Sequence, residues 1–176
     1  MTTVKLDKVH SGLNFQVKHM MVSKAKGEFQ EFDVDFKGDF DNLENAQVTV
    51  TVDVASIETN NEDRNGHLKS GDFFDVESYP NITFVSKSVK KISEEDYELT
   101  GDLTIKGVTN EETLKVEYNG KAKDPMAGHM VAGVDIEGKI NREKYGLTWN
   151  APLETGGVLI GKDVKIHGGL EFVIEE

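Results

Sequence analysis

The side chains first asked to bind metals or move protons near neutral pH are five histidines, His10, His19, His67, His129 and His167. None has the i, i+4 spacing of a helical metal site or the H-x-H spacing of a strand site, so no metal ion is expected. Convergence of distant histidines in a closed sheet stays open. His10 precedes Ser11 directly, and strand neighbours face opposite sides, so the two cannot act there as base and nucleophile. No pair of carboxylates stands out for acid–base work among 32 acidic residues.

Longer strings imitate known chemistry and then break it. Asp33 to Glu44 follows much of a helix-flanked calcium loop, with Gly38 at the sixth place and Glu44 at the twelfth. Lys37, however, puts an ammonium where a ligand oxygen belongs, and the flanks read as strands. Gly156 to Asp163 has the spacing of a phosphate-binding loop until Asp163 replaces the hydroxyl that should hold magnesium. A strand-like run, Val164 and Ile166, follows where a helix should stand. Ser23-x-x-Lys26 and Ser88-x-x-Lys91 lack the companion elements of serine acyltransferases. No catalytic residue, cofactor or enzyme activity is expected.

The elements that would position a site are strands. Val48, Val50, Val52 and Val54 share one parity, with Thr49, Thr51 and Asp53 on the other, which gives one dry face and one wet face. The pattern recurs at Leu13, Phe15 and Val17, at Phe32, Val34 and Phe36, and at Ile82 with Phe84. It returns at Leu103 with Ile105, at Leu114, Val116 and Tyr118, at Val134, Ile136 and Ile140, and at Leu170, Phe172 and Ile174. Turn residues separate the runs at 38–45, 93–96, 106–110, 119–120 and 124–125. About eight strands of roughly 8 to 12 residues result, and so few helical stretches favour a closed antiparallel barrel over an open sheet. Ser56 to Tyr79 breaks the alternation. There Asn60 or Asn61 can cap a short helix leading into His67 and Leu68, and the segment could lie across one barrel mouth with Phe73 and Phe74 inward.

With 176 residues, one domain over 1–176 is expected. The absence of cysteine removes disulfides and thiolate metal sites. A net charge of −12 weighs against nucleic acid and against passive docking on anionic lipid surfaces. No run nears the ~18 apolar residues of a membrane span, and the N-terminus has no basic-then-apolar leader, so a cytoplasmic location is expected.

His10-Ser11-x-x-x-Phe15-x-Val17-x-His19-Met20 resembles the opening signature of the YceI family, the lipocalin-like polyisoprenoid-binding proteins. Arg64-Asn65-Gly66-His67-Leu68-Lys69-Ser70-Gly71-Asp72-Phe73-Phe74-Asp75 is similar to that family's most specific string. Tyr79-Pro80, Phe84, Gly101 to Thr109 and Ile140 to Gly146 follow in the family's order. Asn65, Lys69 and Leu6 depart from the usual acid, arginine and tryptophan. The resemblance implies an all-β fold: an elongated eight-stranded antiparallel lipocalin-like barrel with a short helical lid. Its tunnel would hold an isoprenoid lipid, a prenyl quinone or prenyl phosphate, in a carrier or reservoir that buffers such lipids under stress.

Under that resemblance the tunnel wall is assigned to Phe15, Phe32, Phe36, Phe73, Phe74, Phe84 and Leu103, with the smaller Val48, Val50 and Val52. Arg64, His67 and Lys69 could meet a headgroup at the mouth, or form a solvated helix turn paired to Asp72 and Asp75. Arg142, the other of the two arginines, is expected in a structural ion pair. A homodimer stays open. So do two rival functions: a fully packed barrel serving protein association, and an enzyme acting on an isoprenoid.

Overall fold

The computed structural model describes residues 3–154 and 157–175. Eleven strands and one α-helix follow in the order β1 (Thr3–Leu6), β2 (Gly12–His19), β3 (Ser23–Phe29), β4 (Phe32–Asp39), β5 (Asn42–Asp53) and β6 (Ile57–Glu58). Then come α1 (Glu62–Lys69), β7 (Asn81–Lys91), β8 (Asp96–Ile105), β9 (Val108–Lys123), β10 (Met130–Asn141) and β11 (Ile160–Glu175). Short 3-10 turns occupy Val54–Ser56 and Arg142–Tyr145.

All the strands join one antiparallel sheet in the order β4-β5-β7-β8-β9-β10-β11-β2-β3-β6, with β1 pairing β11 beyond the end of β2. Eight of these, β2, β4, β5 and β7 to β11, are the long strands that alternation predicts. The three others are additions. β1 and β6 are only four and two residues long, too short to show a period. β3 turns Ser23, Ala25 and Gly27 toward β2's inward face, so it has no apolar run to find. The Cβ that Gly27 lacks would collide with the Phe15 ring and Thr59. β9 and β11 reach 16 residues, longer than expected, and Asn119-Gly120 lies inside β9 beside a register shift instead of ending it.

The sheet curls into a barrel whose last seam is not hydrogen-bonded along its length. β1 lies beside β4 without a shared ladder. Near the other end of β4, Asp53 N–H donates to Glu31 O and Gln30 N–H to Ser56 O. The expected closed eight-stranded barrel is therefore an eleven-stranded, curled and incompletely laced one.

Side chains of the inward parity fill two clusters. One gathers Val52, Phe73, Phe84, Leu103 and Tyr145 under α1; the other gathers Val34, Phe36, Phe40, Tyr97 and Phe172 at the opposite pole. Phe36 and Phe40 stack with ring centroids 4.4 Å apart, and Phe172 tilts against both. These rings floor the barrel. α1 is capped by Asn61, whose side chain accepts from Arg64 N–H, and it brings Leu68 with the following Phe73 and Phe74 over the other pole.

Candidate functional site

Between floor and lid lies a cavity of about 410 Å³. Its walls are the inward faces of β2, β4, β5, β7 and β8 and their neighbours, which follows directly from the period-2 parity of those strands. Phe15, Phe36, Val48, Val50 and Val52 line it, as do Phe73, Phe74, Phe84 and Leu103. Phe32 does not: at the start of β4 opposite Val52, its ring is taken up by packing against both clusters. The reading from sequence missed Phe40, Tyr97, Leu99, Trp149 and Phe172. Leu99 and Phe172 share the parity of recognised runs, whereas Phe40 sits in a turn and Trp149 in an irregular segment, where no periodicity points to them.

The cavity comes nearest solvent along β2, β3 and α1. The exposed members of its lining, Asn14, Lys18, Lys26 and Arg64, all lie on β2, β3 and α1. No Asp or Glu is among the described lining residues; every charged side chain there is Lys, Arg or His, and Tyr97 is the one further titratable group. An interior this apolar with a basic rim suits a hydrocarbon tail carrying a polar or anionic end. It offers no carboxylate base, and sulfur nucleophiles are ruled out by composition.

At the rim, Arg64 Nε donates to Thr59 Oγ1 at 2.9 Å and its Nη2 to Thr59 O. The buried Asn65 accepts from Thr59 N–H and Oγ1–H and donates to Glu58 Oε2. These bonds clamp α1 to the end of β6, so the departure at Asn65 is a structural anchor. His67 Nε2 lies 2.9 Å from Asp72 Oδ2, and its ring meets Phe73 and Trp149 edge-on. The expected contact with Asp72 is thus made by His67, as a hydrogen bond. Lys69 is half-buried but outside the cavity lining, and no bridge to Asp75 occurs among the described residues.

Arg142 overturns its expected ion pair. It is buried, and its guanidinium donates to four main-chain carbonyls: Gly161 at 2.8 Å, Leu147, Trp149 at 3.1 Å and Ile160 at 3.3 Å. Among the described residues no carboxylate pairs with it. Burial lowers its pKa, and the four carbonyl dipoles stand in for a counter-ion.

Of the strings that imitate chemistry, 33–44 forms the β4–β5 hairpin, with no helix on either flank. In the Gly-rich string, Gly156 lies outside the described residues, and Gly161 to Asp163 belong to β11, where Asp163 pairs with Lys139. One group could hold a cation: Asp7, His10 and Glu171 bring ligand atoms within 4.8 Å of one another at the surface. The same geometry serves ion pairing, with His10 Nδ1 2.8 Å from Asp7 Oδ2 and 3.4 Å from Glu171 Oε2. The Asp7 hydrogen bond, reinforced by the charges of Asp7 and Glu171, holds the His10 pKa above its ordinary value; the same bond lowers that of Asp7. A raised folded-state pKa adds stability below the ordinary value that is lost as pH rises through the raised one. Proton NMR titration should therefore find His10 ionising late, and Asp7→Asn should return it toward the ordinary histidine value. An unshifted His10 in the intact protein would show that the pair does not persist in solution.

A family model described as YceI-like domain matches residues 4–172. The chain is 52% identical over 176 residues to a UPF0312 protein of Staphylococcus aureus (strain USA300), covering 100% of both. The crystal structure of Burkholderia cenocepacia BcnA superposes with a TM-score of 0.82 at 25% identity, over 94% of this chain and 98% of that one. A Saccharophagus degradans domain, described as polyisoprenoid binding and implicated in plant cell wall breakdown, aligns at 15% identity with a TM-score of 0.66, over 98% of this chain and 99% of that one. At that identity the likeness is one of fold.

Proposed function

Since the chain belongs to the YceI-like domain family, we propose that it shelters the tail of a long isoprenoid lipid, of prenyl quinone or prenyl phosphate type, as a carrier or reservoir. The observation that carries this reading is the cavity of about 410 Å³, walled by apolar side chains and open at a basic rim. That volume lies within the usual range for small-ligand pockets, ~300–1,000 Å³. Each methylene buried there contributes roughly 0.8 kcal/mol, opposed by the ordering of a flexible chain, so length and fit select the ligand more than chemical detail. Phe32 packs the wall from behind while the lining residues named above touch the tail. Arg64 and His67 face the headgroup; Lys69 acts only through the field of the rim.

Two features favour carriage over turnover. The lining holds no carboxylate among the described residues. His67 and Asp72 make a pair without a nucleophile beside it, because Ser70 Oγ–H donates to the His67 carbonyl at 2.6 Å. An unfilled interior also weighs against a barrel built solely as a packed scaffold. Organic extraction of the gently purified protein, followed by mass spectrometry, should release a prenyl lipid. A preparation that is empty and takes up no added prenyl quinone or prenyl phosphate ends this reading.

A further inference from the structure

The pole that carries the cavity mouth also carries an apolar tip. Met20, Met21 and Val22 make the β2–β3 turn and are 46%, 53% and 87% exposed. The backbone reverses there with φ of 54° at Met20 and 65° at Met21. Those are left-handed values, for which glycine or asparagine is the usual choice in a two-residue hairpin turn. Methionine at both places gives up turn propensity and sets two flexible thioethers in water. The neighbouring turn extends the surface: Met20 N–H donates to Leu159 O at 2.7 Å, Met21 packs over Gly157, and Val158 is 40% exposed.

Charge singles out the same place. Lys18 and Lys24 are direct cross-strand partners, and Lys26 faces Gln16 on the next rung but one. Like charges opposite one another destabilise a hairpin, and none of the three has an acidic partner among the described residues. Residues 17–26 contain no Asp or Glu, within a chain carrying 32 acidic and 20 basic side chains. The net charge of −12 disfavours membranes only at long range; with a Debye length of about 8 Å at physiological salt, local lysines govern what this tip meets.

We propose that the β2–β3 tip docks the barrel on an anionic lipid bilayer, with the Met20–Val22 turn entering the interface and Lys18, Lys24 and Lys26 meeting the headgroups. An anionic partner relieves the lysine repulsion, and an apolar boundary takes up the exposed turn. The purpose of docking rests on the lipid reading of the cavity: Lys18, His19 and Leu159 belong both to this tip region and to the cavity lining, so docking sets the mouth against the membrane.

The test is sedimentation of the full chain with vesicles that contain no prenyl lipid, so docking is measured apart from cavity loading. Phosphatidylcholine vesicles with about one quarter phosphatidylglycerol should retain the protein at low salt and release it at high salt. Lys18→Glu with Lys24→Glu should weaken partitioning by about 30-fold or more, and Met21→Ser with Val22→Ser by about tenfold. Met126→Ser, equally apolar and 96% exposed at the far pole, should change nothing. Because the chain lacks cysteine, Val22→Cys takes a single environment-sensitive dye, whose emission should rise on binding the same vesicles. Wild-type protein that stays in solution, tip variants that sediment like wild type, or a dye that stays in water each overturns docking. A barrel that loads prenyl lipid from detergent yet ignores vesicles loses the docking claim alone; one that sediments but stays empty loses the cavity reading alone.

Discussion

Val50→Trp is expected to abolish uptake of a long prenyl chain while the barrel still folds. Val50 sits mid-strand in β5, opposite Val34 on one side and Phe84 on the other, and its side chain faces the cavity. An indole placed there occupies the space between lid and floor where a tail has to run. If it excludes about five methylenes, the loss is about 4 kcal/mol at roughly 0.8 kcal/mol each, or on the order of a thousandfold in affinity. The stability change should stay within the ~1–3 kcal/mol of an overpacked core, and at its low end, because the ring enters open volume. Affinity for a prenyl quinone, read by native mass spectrometry or fluorescence, and a urea midpoint for each protein separate the two effects. Unaltered affinity in a folded Val50→Trp protein would place the tail elsewhere.

The largest loss of stability should come from Arg142→Met. Methionine preserves much of the stem but removes every donor, so the carbonyls of Leu147, Trp149, Ile160 and Gly161 lose their shared partner together. An unsatisfied buried polar group costs about 1–3 kcal/mol, and water will rescue some of the four, so about 3–5 kcal/mol is expected in all. For a chain of this size each kcal/mol moves Tm by about 2–4 °C. Hydrogen exchange should show residues 147–154 and 157–161 opening first, since Arg142, together with the Asn150 side chain on Ile160, ties them to β11. Arg142→Lys should recover little, because one ammonium cannot reproduce the planar fork that reaches both sides of the loop. A midpoint shift of less than about 1 kcal/mol would mean the carbonyls find other partners.

Much of this fold is legible in sequence because burial on one face of a strand writes a period of two. The eight long strands, the interior parity and a helix cap at Asn60 or Asn61, which the structure gives to Asn61, follow from that rule and from local chemistry. The edges do not. β3 faces inward with Ser23, Ala25 and Gly27, the last of which clears the Phe15 ring and Thr59, and small residues leave no hydrophobic trace. Cavity assignments fail for a different reason. Phe32 and Phe36 share a parity, and only the packing around each decides which meets open space. Arg142 looked like half of an ion pair because the partners of a charge are sought among charges; four main-chain carbonyls have no signature in sequence. Charge totals likewise conceal their distribution, and a strongly acidic chain can still gather its lysines on one hairpin.

The unlaced seam sets what limits the girth of this barrel. Among the described residues no ladder bonds cross where β1 lies beside β4, whereas the long strands are joined to their neighbours by rows of backbone bonds. Opening along that line is therefore the least costly distortion the sheet has, and the wall can widen or shut there without any strand unravelling.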